Sequence, residues 1–301
     1  EETGKSNYVA AIVAGCICPA GADIDTLGIQ ITANGRHKAV LLYDTEQSEV
    51  QLFKNVSNLL ARAKQPDKPD ELKAFCLTGM SRKERLNAIV QSMDKFYYQY
   101  GGIQLVVIDG IADLVKSAND EAESVAVIDE LYRLAGIYNT CILCVLHFVP
   151  NGLKLRGHLG SELQRKAATI LSIEKDEEPT QSVVKALKVR DGSPLDVPLM
   201  LFAWNKEAGM HVYKGEKPRE EKEKRKEREL VNVARDIFGR QTRITYIDLC
   251  EQLQQVLDIK ERTAKSYIRF MRERDIITKD TANQSCFVIG SYNLQRNASC
   301  P

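Results

Sequence analysis

The chain is 301 residues long, with 44% hydrophobic and 28% charged residues, the mix of a soluble globular protein rather than a disordered or fibrous one. At about 100–200 residues per domain, two domains are expected. No run approaches the roughly 20 apolar residues of a membrane span, and no cleavable signal precedes the first strand-like segment. The expectation is a cytoplasmic protein without membrane contact, leaving open a targeting segment upstream of Glu1. The net charge is only +1, yet residues 216–301 hold 18 Lys/Arg against 14 Asp/Glu, leaving 24 against 27 before them. A modestly basic C-terminal part on a slightly acidic body is compatible with nucleic-acid contact and does not demand it.

In chain order, Glu1-Glu-Thr-Gly-Lys-Ser6 matches the second half of the phosphate-loop pattern G-x-x-x-x-G-K-[ST]. Gly4 permits the tight turn, Lys5 reaches the β- and γ-phosphates of ATP, and Ser6 offers a hydroxyl to Mg²⁺. The candidate nucleotide-binding set is Glu2, Thr3, Gly4, Lys5, Ser6 and Asn7. A helix predicted over 5–16 points its positive N-terminal end at the phosphates. The first glycine of the pattern, and the strand that feeds the loop, are expected just upstream of Glu1. Apolar, β-branched runs predict strands over 39–43, 105–108, 140–146, 169–173, 183–189 and 199–205. Helical patterns over 50–63, 81–100 and 122–138 separate the early strands. This alternation predicts an α/β domain with a largely parallel sheet. The last strands come without helices between them, and Asn205-Lys-Glu-Ala-Gly209 reads as a hairpin loop, so an antiparallel extension at one sheet edge is expected. Cys141 and Cys144 fall within an apolar run, and Cys16-x-Cys18 lacks a second pair at zinc spacing, so the thiols are expected to be reduced core residues.

Two apolar strands end in acid: Lys38-Ala-Val-Leu-Leu-Tyr-Asp-Thr-Glu-Gln47 and Gln104-Leu-Val-Val-Ile-Asp109. A third, Cys144-Val-Leu-His147, ends in an imidazole, and Lys188-Val-Arg190 closes a later one. In this order, over residues 1–213, the set resembles the RecA-like P-loop ATPases, and within them the hexameric helicases of RepA and DnaB type. The resemblance implies that Glu46 activates the attacking water, with Asp44 as the alternative, and that Asp109 holds Mg²⁺ through water. It implies that His147 senses the γ-phosphate. Lys188 and Arg190 would reach across a subunit interface to the next protomer's γ-phosphate, which makes a homo-oligomer, a hexamer, the expected assembly. Residues 148–167 would form a channel loop gripping single-stranded DNA through Lys154, Arg156, His158, Arg165 and Lys166. Alternatively, Arg156 or Arg165 serves a neighbouring ATP site. Nothing matches a primase-binding collar or a zinc domain.

Residues 214–227 are almost all charged and read as a linker or a solvated helix. Beyond them, helical patterns over 228–238, 246–256 and 261–274 precede strands over 276–279 and 286–289. Three helices and a β-wing predict a winged helix-turn-helix domain over 228–292, followed by a polar tail over 293–301. The candidate recognition helix carries Lys260, Arg262, Lys265, Arg269, Arg272 and Arg274. Thr263, Lys265, Ser266 and Arg269 are expected to face duplex DNA, while Ala264, Tyr267, Ile268 and Met271 pack inward. Protein docking is the competing use of such a domain. The reading is an ATP-hydrolysing helicase-like motor, against two rivals: a recombination-type filament ATPase, and a DNA-binding regulator switched by ATP.

Overall fold

The computed structural model describes residues 4–147, 157–176, 178–217, 222–239 and 241–291. The chain divides into two units, Glu1–Arg219 and Glu220–Pro301.

In the first unit, helix α1 (Lys5–Ile17) runs into strand β1 (Ala39–Asp44), α2 (Glu49–Arg62), β2 (Leu72–Cys76), α3 (Arg82–Tyr100), β3 (Ile103–Asp109), α4 (Glu121–Ile137) and β4 (Cys141–Val145). The four strands form one parallel sheet in the order β2-β1-β3-β4. The central strands are apolar throughout because both faces are covered. Their alternation divides the side chains between two cores. Val40, Leu42, Leu105 and Val107 join α1 and α2 on one face, and Leu41, Tyr43, Val106 and Ile108 join α3 and α4 on the other. Local chemistry sets the helix starts. The Ser48 hydroxyl accepts from the Gln51 amide at 3.3 Å, the Glu84 carboxylate from the Ser81 amide at 2.8 Å, and Asp120 from the Glu123 amide at 3.0 Å.

Helix α5 (Gly157–Lys166) leads into β5 (Thr169–Lys175), β6 (Gln181–Val189), β7 (Leu199–Asn205) and β8 (Met210–Lys217). These four strands make an antiparallel sheet of their own, in chain order. This corrects the expected extension of the parallel sheet, since among the described residues no ladder joins β4 to β5. The face carrying Val184, Met200 and Phe202 packs on the α1 core, so α1 lies between the two sheets and is buried on nearly every side.

The second unit comprises α6 (Lys222–Phe238), β9 (Ile244–Thr245), α7 (Tyr246–Leu257), α8 (Glu261–Glu273), β10 (Ile277–Lys279) and β11 (Cys286–Ile289). Its three strands pair antiparallel in the order β10-β11-β9. Leu230, Ala234, Leu249, Leu253, Ala264, Ile268, Met271 and Phe287 form its separate core. The charged stretch expected as a linker is taken up at one end by β8, which runs to Lys217, and at the other by α6, which begins at Lys222. The tail expected over 293–301 lies outside the described residues. Among the described residues no helix is long and apolar enough to cross a membrane.

Candidate active site

The register of β1 against β3 pairs Asp44 with Asp109, so the two strand-terminal carboxylates stand side by side at the C-terminal rim of the sheet. Asp44 is buried and already occupied. Its Oδ1 accepts the amides of Glu46 at 3.0 Å and Gln47 at 2.8 Å, which folds the chain tightly after the strand. That turn carries the Glu46 carboxylate outward, where it remains 36% exposed and open to water. Of the two carboxylates weighed in the sequence, Glu46 is therefore the one free to act on a substrate, and Asp44 sets its position.

The rim is stitched together by a residue the sequence reading missed. Thr45 is buried, and its amide donates to the Asp109 carbonyl at 3.1 Å. Its hydroxyl reaches the carbonyls of Asp109 at 3.1 Å and Gly110 at 2.7 Å. Gly110 has φ +92, and a Cβ there would collide with the Thr45 hydroxyl and stand 2.5 Å from the Glu46 Cγ. Glycine is required on both counts. The available signal was a glycine placed directly after a strand-terminal acid.

Gly4, with φ +82, caps α1, and Lys5 and Ser6 open the helix with Ser6 exposed. Lys5 Nζ lies 3.1 Å from His147 Nδ1. A lysine ammonium has only protons to give, so Nδ1 accepts and the ring proton sits on Nε2. That nitrogen faces Glu46 Oε2 at 3.5 Å. Lys5, His147 and Glu46 thus form a line across the rim, bringing three sequence-predicted residues together. Asp109 is the fourth: burial first, then the neighbouring Asp44 and Glu46 carboxylates, push its pKa up to about 6, against the opposing pull of Lys5. Asn7 lies half-buried in the first turn of α1, while Glu2 and Thr3 lie outside the described residues.

This donor set suits a Mg²⁺ ion. Among the described residues no three His, Cys, Asp or Glu side chains form a protein-only metal cage. Magnesium does not need one, because it keeps waters and takes one or two carboxylates beside substrate phosphates. A half-buried carboxylate held back from ionisation by two acidic neighbours favours a cation at Asp109, and the Ser6 hydroxyl opens the adjacent helix.

The remaining candidates lie elsewhere. Lys188 Nζ donates to the carbonyls of Gln164 at 2.7 Å and Arg165 at 3.3 Å, and Arg190 donates to the Lys166 carbonyl at 3.3 Å. Both cations therefore sit at the C-terminal end of α5, where free carbonyls favour positive charge. The expected channel loop needs correction over 157–166, which is helix. Its glycines suggested a loop, but Leu159 and Leu163, four residues apart, anchor it in the core. His158, Arg165 and Lys166 lie on that helix, with Arg165 paired to Glu162 at 2.5 Å and Lys166 to Asp129 at 2.9 Å. Lys154 and Arg156 lie outside the described residues. On α8, Arg262, Lys265, Ser266 and Arg269 are exposed and Ala264, Ile268 and Met271 are buried. Tyr267 is half-buried, and so is Thr263, which the sequence reading placed on the exposed face. Lys265 pairs with Glu261 at 2.6 Å and Arg269 with Glu273 at 2.9 Å. The seven cysteines among the described residues are free thiols.

A parallel sheet whose C-terminal rim gathers a lysine from a glycine-capped helix, strand-end carboxylates and an imidazole defines a P-loop nucleotide-binding domain. The AAA domain family model matches residues 1–151, half of the chain, and the chain belongs to that family of P-loop ATPases. No curated protein matches the chain.

Proposed function

We propose that the protein is an ATP-driven DNA motor of the RepA and DnaB helicase type, a hexamer acting in replication or mobilisation of a plasmid or transposon. The observation that carries the reading is the Lys5–His147–Glu46 line beside Asp109. Lys5 and the α1 N-terminus bind the phosphates. Glu46 accepts the proton of the attacking water, for which a carboxylate within reach of that water suffices. His147, bound to Lys5, registers whether that lysine has moved to a γ-phosphate. Ser6 and Asp109 hold Mg²⁺, whose chemistry is to neutralise phosphate charge. Arg190, with Lys188, supplies charge to the site of a neighbouring copy, a contribution of roughly 10³–10⁵ in rate for such an arginine.

Basic side chains on and beside α5, Arg165, Lys166, Lys188 and Arg190, offer charge for phosphate contacts and support single-stranded DNA binding without base specificity. The second unit, read as a winged helix, presents Arg262, Lys265, Ser266 and Arg269 on one exposed face of α8, which suits duplex DNA. That face also favours a second reading, a DNA-binding regulator switched by ATP. The deciding experiment measures ATP hydrolysis by the full-length protein with and without single-stranded DNA, together with unwinding of a forked duplex. DNA-stimulated hydrolysis with strand displacement is expected, and Arg190→Ala abolishes both. Binding of one specific duplex without displacement favours the regulator, and full activity in Arg190→Ala overturns the shared site.

A further inference from the structure

The sequence contains a single tryptophan, Trp204, and it is 53% exposed near the end of β7. On the same strand Met200 and Phe202 are buried, so the indole is where this row of side chains reaches solvent. Trp204 lies on the same face of β7 as Phe202 and pairs across the ladder with His211 of β8. Phe202 packs against the phosphate-loop glycine: a Cβ on Gly4 would stand 2.7 Å from the Phe202 ring and 3.7 Å from His211 Nε2. Phe202 also stacks on Tyr8, one turn into α1, with ring centroids 6.0 Å apart. His211 touches both other rings, Phe202 at 5.5 Å and 70° and Trp204 at 5.5 Å and 77°. The result is a continuous aromatic row running from Gly4 through Phe202 and His211 to an indole that opens to solvent.

We infer that Trp204 is the stacking platform for the base of the nucleotide whose phosphates lie on Gly4, Lys5 and Ser6. In a nucleotide the base is carried on the far side of the sugar from the phosphates. Trp204 stands one imidazole away from the phosphate loop, on the side of the antiparallel sheet. Stacking between an aromatic side chain and a base is tolerant of base identity, so the platform recognises a planar heteroaromatic base as against a bare polyphosphate. His211 braces the indole edge-to-face, an arrangement favoured between aromatic rings. The inference rests on the phosphate-loop reading of Gly4 to Ser6.

Among these 301 residues Trp204 is the one tryptophan, so fluorescence of this chain excited at the red edge of the indole band, where tyrosine does not absorb, reports this position. The full-length protein is titrated with Mg·ATP and, separately, with Mg·tripolyphosphate, with affinities measured by calorimetry. Fluorescence should change on binding ATP and not on binding tripolyphosphate. Trp204→Ala should weaken ATP binding on the order of 10-fold while leaving tripolyphosphate affinity unchanged. Trp204→Phe should restore most of the loss. Equal ATP affinity in wild type and Trp204→Ala overturns the platform but leaves the phosphate loop standing. Failure of the wild type to bind either ligand overturns both. Fluorescence that responds to single-stranded DNA and not to nucleotide overturns the platform as well.

Discussion

The carboxylate rim of the parallel sheet and the basic face of α8 are both clusters of one charge, but they are built in opposite ways. At the rim, Asp44 and Asp109 are largely withdrawn from water with Glu46 at their outer edge, and burial together with these neighbours pushes the Asp109 pKa up to about 6. On α8, Lys265 and Arg269 each have a glutamate one turn away and stay exposed, where solvent screening leaves such pairs little weight in stability. The rim holds an unmet demand for positive charge, and α8 holds almost none. A buried cluster of like charge marks a place where a ligand completes the structure. A paired, solvated surface can bind a polyanion only by exchanging weak partners for it.

The largest effect should come from the residue the rim leaves free. Glu46→Gln keeps the size of the side chain and removes its ability to take a proton, so kcat for ATP hydrolysis should fall by about 10²–10⁴. ATP affinity should stay close to wild type, because in the proposed mechanism the phosphates are held by Lys5 and the helix end. A steady-state assay combined with direct ATP titration checks this. Loss of affinity with unchanged kcat would assign Glu46 to binding and return the base role to Asp44.

Gly110→Ala should follow. The added methyl meets the Thr45 hydroxyl and the Glu46 side chain while φ is held at +92, a strained backbone costing about 1–3 kcal/mol. The expected result is a lower melting temperature together with a fall in kcat that exceeds any change in KM. Thr45→Val tests the same stitch from the other strand, and Thr45→Ser should restore it. A further variant uses the electrostatics directly. Folding raises the Asp109 pKa from its ordinary 3.8 to about 6, so the folded chain holds a proton that the unfolded chain has released between those values. Stability therefore falls as pH rises through this window, and the cost is fully present above about pH 6. Asp109→Asn should stabilise the protein at pH 7–8 by on the order of 2 kcal/mol and by almost nothing below pH 4. The same variant should lose Mg²⁺-dependent nucleotide binding, which in the wild type strengthens as pH rises through about 6.

The rim was largely legible in the sequence because its chemistry is local: an apolar run that stops at an acid announces a strand end. Asp44 and Asp109 are of this kind, and Glu46 and His147 follow their strand ends by two residues. Thr45 and Gly110 were not legible, since their role exists only through the register that sets Asp44 beside Asp109. Strand β2 was missed because Leu-Lys-Ala-Phe-Cys is short and mixed, as suits an edge position. Helix α5 was hidden by its glycines, although Leu159 and Leu163 carried the period of a buried helical face. The cations read as a trans-acting pair, Lys188 and Arg190, sit on α5 carbonyls whose position depended on that unrecognised helix.

The smallest effect belongs to α8, and its smallness is the test. Arg269→Ala removes one exposed ion pair, so stability should change by no more than about 0.5 kcal/mol. If α8 lies against DNA phosphates, the same substitution should weaken duplex binding across all sequences and reduce the slope of log affinity against log salt by about 1. The two numbers together separate the uses of the face. A flat salt dependence with unchanged duplex affinity would mean that the basic residues only keep the helix solvated, so that of these two clusters the carboxylate rim alone calls for a ligand.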